Sequence, residues 1–221
     1  MKTFFLKFAL IGALGFVEPA GAATDCCPSS PPSSDGVFKL VKTKGRVSLY
    51  ERWVEVEPGN KVRELKAEFT VDAGMDAALA LLKDKSRVHR WMQGMQEFQV
   101  VENLSDGWVS YVRYSIPWPL ADQDIVMRFK LFKSTGLYTA SFQSSTHASY
   151  PVKDGVTRMK GVTGSWQFQA KGSNQTQVTY LIMTRNKSNF PKWMTDPIIQ
   201  DNMLDTMNAF AGQARELHVQ R

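Results

Sequence analysis

Six apolar residues near the C-terminus, Ile199, Met203, Met207, Phe210, Ala214 and Leu217, recur at spacings of four and three. Residues so spaced share one face of an α-helix. Asp196 followed by Pro197 reads as an N-cap with proline at the first helical position, so the pattern predicts a long helix starting there. The segments before it read almost entirely as extended, and the apolar stripe needs a sheet to bury it. That order predicts an α+β fold. The stripe fits a plain core helix as well as a lid over a ligand. Its central methionines favour the lid, because a thioether conforms to irregular apolar shapes and can repack.

The extended segments begin near Val37. Residues 46–56 and 61–71 alternate apolar with polar across Pro58-Gly59-Asn60, as a hairpin with one buried face does. The second strand of that hairpin buries Leu65, Ala67, Phe69 and Val71. Residues 75–82 read as a short helix followed by 88–95. Five extended segments come next, at 97–104, 108–116, 125–133, 137–144 and 162–170, and a sixth spans 177–184.

At the other end, Lys2 and Lys7 flank an apolar run over 8–17, and Ala20-Gly21-Ala22 supplies the small residues a signal peptidase needs. Residues 1–23 are therefore expected to be a cleaved signal peptide, and the mature chain to be soluble and periplasmic or secreted. A run of about ten residues is too short to cross a bilayer, which takes about twenty. Pro28, Pro31 and Pro32 among serines make 24–36 a disordered spacer, leaving 37–221 as one domain. Cys26 and Cys27 fall in the spacer and read as exposed thiols. A lipid-attachment cysteine would follow a small residue, and Asp25 precedes Cys26. Removing two lysines and one glutamate from 27 basic and 21 acidic residues leaves a net charge of about +5. With no dense basic stripe, that surplus points to transient contact with an anionic membrane surface and not to nucleic acid.

Pro117-Trp118-Pro119-Leu120-Ala121-Asp122-Gln123-Asp124, running into Ile125-Val126-Met127-Arg128, resembles the START family of lipid-transfer domains. His147 through Tyr150-Pro151, the Gly155-Val156-Thr157-Arg158 turn and Gly164-Ser165-Trp166 are similar to that family's later loop and penultimate strands. Phe190-Pro191-Lys192-Trp193-Met194 resembles its approach to the C-terminal helix. The matches run in order over about 37–217. The resemblance implies a helix-grip fold: a curved antiparallel β-sheet wrapped around a long C-terminal α-helix, with an internal hydrophobic cavity for one lipid. This chain departs from the family at Gln123, where arginine is usual, and at Asn186-Lys187-Ser188-Asn189, where a glycine-bearing turn is usual.

Alternation puts Gln123, Ile125, Met127, Phe129 and Leu131 on one face of their strand and Asp124, Val126, Arg128 and Lys130 on the other. The first face is apolar enough to line a cavity, with Gln123 at its rim. A neutral amide there favours a neutral headgroup, such as a sterol hydroxyl, over a phospholipid. Asp124 and Arg128 share a face but lie about 13 Å apart along the strand, so each should find a cross-strand partner on the outer surface. Arg158 could recognise an anion only if its face turned inward. Trp91, Tyr114, Trp118 and Trp166 are further candidates for the wall, with ordinary core packing the alternative for each, and Trp118 between two prolines is a candidate for a gate or a membrane contact.

The expected ligand-binding residues are Trp91, Tyr114, Gln123, Ile125, Met127, Phe129, Trp166, Met203, Met207 and Phe210. No nucleophile elbow, dinucleotide fingerprint or phosphate loop appears, and His89, His147 and His218 lack metal-ligand spacing. No catalytic residue, metal or cofactor is expected. The expected partner is a hydrophobic small molecule or lipid carried by a monomer. The rival readings are a cyclase or aromatase using Tyr114, Arg128 or Asp124 as acid or base, and a lipid-sensing accessory protein.

Overall fold

The structure is a computed structural model that describes residues 36–115, 121–185 and 192–219; side chains are described within 196–217 of the last segment. The expected signal peptide, Cys26, Cys27, almost all of the spacer, the Pro117 to Leu120 loop with Trp118, and the Asn186 to Pro191 stretch lie outside the described residues.

Chain order gives β1 (Lys39–Lys44), β2 (Val47–Glu57), β3 (Asn60–Val71), α1 (Met75–Ala80), α2 (Val88–Trp91), β4 (Met95–Leu104) and β5 (Gly107–Tyr114). Then come β6 (Asp122–Ser134), β7 (Leu137–Ser145), β8 (Val156–Arg158), β9 (Val162–Gly172), β10 (Gln175–Thr184) and α3 (Lys192–Val219). Nine strands form one antiparallel sheet in the order β1-β2-β3-β10-β9-β7-β6-β5-β4. The two short helices carry the chain from β3 to the far edge at β4, and the chain then meanders back until β10 closes on β3. This is the expected α+β, helix-grip architecture.

Local chemistry explains the elements. The first hairpin turns at Pro58-Gly59, where proline presets its own φ and Gly59 supplies φ 77°, which favours glycine. Strand β3 buries Leu65, Ala67, Phe69 and Val71 on the side that packs against α3, as alternation predicts. Strand β1 and the short β8 are the elements that periodicity did not single out. β8 pairs in parallel with the start of β6, beside which β7 has already ended, so Asp124 faces Arg158 across the register.

Helix α3 begins one turn earlier than expected, at Lys192, and Pro197 sits inside it. Asp196 is not a helix N-cap. Its carboxylate accepts a hydrogen bond from Arg63 Nη1 at 2.7 Å, so a long-range charge partner takes the group that a cap would have used. The same flank of α3 is tied to the edge of the sheet by Lys42 with Asp201 and Lys44 with Asp205, both at 2.6 Å. Asn208 adds a bond from its Nδ2 to the Lys44 carbonyl at 3.0 Å. No helix among the described residues is long and apolar enough to cross a membrane.

Candidate functional site

The sheet touches α3 directly along β1, β2 and β3, and leaves a cavity of about 140 Å³ between α3 and the remaining strands. Two faces of the chain meet there. From β5 and β6 come Ser110, Tyr114, Ile125, Met127 and Phe129, and from α3 come Ile199, Asn202, Met203, Thr206 and Met207. Strand pairing sets these positions: Tyr114 lies opposite Gln123, Val112 opposite Ile125, Ser110 opposite Met127 and Trp108 opposite Phe129. The predicted alternation of β6 therefore holds.

Of the ten expected residues, the structure brings eight to this cavity: Trp91, Tyr114, Ile125, Met127, Phe129, Trp166, Met203 and Met207. Gln123 and Phe210 are not in its lining. Gln123 is not at an open rim but only 4% exposed, two residues beyond the last lining residue of β6 on the side of the 116–120 loop. Phe210 is fully buried behind the wall, with its ring centroid 5.1 Å from Trp91, 5.0 Å from Trp166 and 6.1 Å from Phe69. The upper part of the α3 stripe thus borders empty space, while its lower part, Phe210 and Ala214, is core.

Sequence reasoning missed the second half of the wall. Phe142, Met159, Val162, Tyr180 and Ile182 join it from β7, β9, β10 and the segment after β8. Gly164 makes room for one of them. A Cβ built on it would stand 2.5 Å from the tip of the Phe142 ring and 2.2 Å from the Leu181 carbonyl oxygen, so only glycine lets that ring lie across β9. Five methionines border the space, Met92, Met127, Met159, Met203 and Met207, and a wall of thioethers repacks at little cost.

The opposite face of β5 and β6 carries the charged groups. Arg158 Nε and Nη2 donate to the two oxygens of Asp124 at 2.6 and 2.9 Å, and the Tyr111 hydroxyl donates to the same carboxylate at 3.1 Å. Arg158 Nη2 also reaches the Tyr150 and Pro151 carbonyls, and the Tyr150 ring stacks on Tyr111 at 4.2 Å. Asp124 is 1% exposed, so it is not on the outer surface as alternation alone indicated: the loop between β7 and β8 covers it. Arg128 does lie on the outside, paired with Asp106. Asp124, Arg128 and Arg158 all point away from the cavity. Of the three groups considered for acid–base work, only Tyr114 lines it.

Among the described residues the lining contains no Asp, Glu, Lys, Arg or His, and no described cluster of three acidic, His or Cys side chains could hold a metal. Its ionisable groups are Tyr114 and Tyr180. Burial holds both phenols well above the ordinary tyrosine range, with Tyr114 adding to the effect at Tyr180. Burial first, and the Asp124 carboxylate second, pushes the Tyr111 phenol up to about 12. Each of these groups holds its proton more tightly when folded than when unfolded. The stability they contribute is complete below the unfolded tyrosine pKa near 10 and is lost as pH rises through the folded values. In an alkaline titration followed at the phenolate absorbance band, these three of the six tyrosines should ionise only as the circular dichroism signal of the fold disappears. Full six-tyrosine absorbance at about pH 11 with the fold intact would show that the burial is not real.

A sheet wrapped around a C-terminal helix, with an apolar cavity held between them, places the chain in the helix-grip class. The chain belongs to the START domain family, whose match spans residues 41–217. It is similar to a STAR-related lipid transfer protein fragment from Xanthomonas axonopodis at 22% identity and TM-score 0.69, covering 80% of this chain and 98% of that one. An uncharacterized protein of Pseudomonas aeruginosa is 23% identical over 180 residues, 81% of this chain and 87% of its own length. An aromatase/cyclase from Streptomyces sp. R1128 shares the fold at TM-score 0.51 and 14% identity, over 69% of this chain and 93% of that one.

Proposed function

We propose that this protein binds an uncharged hydrophobic lipid in the cavity, shields it from water and releases it at a membrane surface, with no covalent chemistry. The observation that carries this reading is the lining: apolar and aromatic, furnished with neutral hydroxyl and amide groups, and without a charged side chain among the described residues. A phosphate or carboxylate placed there would lose its hydration and gain no counter-ion. The lipid-transfer name of the Xanthomonas relative supports the same reading, and so does the outward orientation of Asp124 and Arg128.

Size adds a condition. Sites for drug-sized ligands run from about 300 Å³ upward, and the cavity is about 140 Å³. Loading a whole lipid therefore requires the wall to expand. The methionines and α3 are the parts that can yield, because thioethers repack at little cost and the ion pairs along the flank of the helix are partly exposed and individually weak. Export forms part of the proposal and rests on the pattern of residues 1–23.

Incubation with vesicles of phosphatidylethanolamine, phosphatidylglycerol and diacylglycerol, followed by re-isolation and lipid extraction, tests the reading. Diacylglycerol should dominate the recovered cargo. Phosphatidylglycerol as the main cargo would overturn the preference for a neutral ligand, and protein recovered with no lipid would overturn the carrier reading.

A further inference from the structure

We propose that Ser110 and Trp91 form an interior anchor that grips one uncharged, hydrogen-bond-accepting oxygen of the ligand, of the ketone, ester or hydroxyl kind. The inference rests on the binding reading above and specifies where the ligand's polar atom sits. Ser110 is 1% exposed and Trp91 2% exposed. Both border the cavity, and neither the Ser110 Oγ nor the Trp91 Nε1 has a hydrogen-bond partner in the protein. Buried polar atoms are nearly always paired, so two orphans on one small cavity call for an explanation.

The local structure withholds the usual remedies. The backbone of Ser110 is engaged in the ladder on both sides, opposite Val100 on β4 and Met127 on β6. Its neighbours on the same face, Trp108 and Val112, are buried apolar side chains with no acceptor to lend. Tyr114 differs, because its hydroxyl already donates to Met92 Sδ at 3.4 Å. Ser110 lies four residues from Tyr114, about 13 Å along the strand, so the anchor is interior and not at the end of β5 next to the 116–120 loop.

Donor chemistry then defines the ligand group. An indole nitrogen can only donate, and a serine hydroxyl can donate to an acceptor or accept from a hydroxyl. The matching group is an oxygen with free lone pairs. It is uncharged, because no described cation lines the space. A water molecule can serve the same donors, and a ligand that displaces it must reproduce its bonds or lose affinity.

A cavity of this size accommodates one aromatic ring, so ethylbenzene and acetophenone, alike in shape, are suitable probes for calorimetric titration of the full chain. A carbonyl moved from water into an apolar site with no partner is penalised. Wild-type protein should nevertheless bind acetophenone within about threefold of ethylbenzene, and Ser110→Ala should weaken acetophenone by about tenfold while shifting ethylbenzene by less than about twofold. Trp91→Phe should show an intermediate loss. The carbonyl stretch of bound acetophenone should fall to lower frequency in wild type and return towards its value in hydrocarbon solvent in Ser110→Ala. That readout needs no variant to be decisive. A wild-type stretch at the hydrocarbon value, with ethylbenzene preferred by about tenfold or more, overturns the anchor and leaves the cavity standing. Failure of both rings to bind overturns the binding reading itself.

Discussion

Replacing Arg158 with methionine should cost about 3–5 kcal/mol of folding stability and leave ring binding in the cavity unchanged. The Asp124 side chain is 1% exposed and that of Arg158 5%, so neither charge has water to fall back on. Removing the guanidinium deletes both strong bonds to the carboxylate and leaves Tyr111 as its remaining described partner. It also releases the Tyr150 and Pro151 carbonyls, which the same nitrogen holds. The loop between β7 and β8 should then exchange its amide hydrogens faster, since the Tyr150 and Pro151 carbonyls lose their shared donor and Tyr150 is left with its ring contact to Tyr111 and its amide bond to the His147 carbonyl. Converting both partners to apolar residues, Asp124→Leu with Arg158→Met, should recover most of the loss, because a buried pair replaced whole leaves no stranded charge. Urea unfolding at constant slope measures both effects. A single-variant loss under about 1 kcal/mol would show that the pair behaves as a surface ion pair and that the loop does not seal it. Altered ring affinity would instead couple this network to the site.

That network also marks where the sequence stops being legible. Periodicity is a local signal, and it placed β5, β6 and the α3 stripe correctly: Met203, Met207, Phe210 and Ala214 are all buried, and Ile125 and Met127 face inward. The partnership of Asp124 with Arg158 depends on β8 lying parallel beside β6, a pairing between residues 34 apart with no periodic trace. Ser110 was invisible for a related reason. One serine in an apolar strand is ordinary until the strands on both sides are in place and its hydroxyl is found without a partner. Gly164 lies within a family-like motif, but the close approach that requires glycine exists only once Phe142 crosses it. The start of α3 failed because Asp196 satisfies two patterns at once, and the distant Arg63 outcompetes the local cap. Gln123 shares the face of Ile125 and sits opposite Tyr114, but alternation carries no information about where a cavity ends.

Truncating Phe210 to alanine should destabilise the protein by about 3–5 kcal/mol and at the same time enlarge the site. The ring fills the space behind the wall, in edge-on contact with Phe69 and Trp91 and tilted against Trp166. Two of those three neighbours, Trp91 and Trp166, also border the cavity, so the space vacated lies directly behind the existing void. Helix α3 cannot easily close over the gap. Ala214, one turn further along, is already fully buried, so the helix has no room there to move inward. An apolar ring should therefore occupy the enlarged cavity, and at a hundred times its dissociation constant it should return about 2.7 kcal/mol of stability. The comparison that decides is between naphthalene and ethylbenzene, measured by ligand-induced change in melting temperature. In wild type the smaller ring should stabilise more, and in Phe210→Ala the larger should gain most, because the extra volume is contiguous with the old. If neither ligand raises the melting temperature of the variant, Trp91 and Trp166 have collapsed into the gap. The aromatic wall would then be a compliant core, and expansion for a lipid would have to come from movement of α3 as a whole.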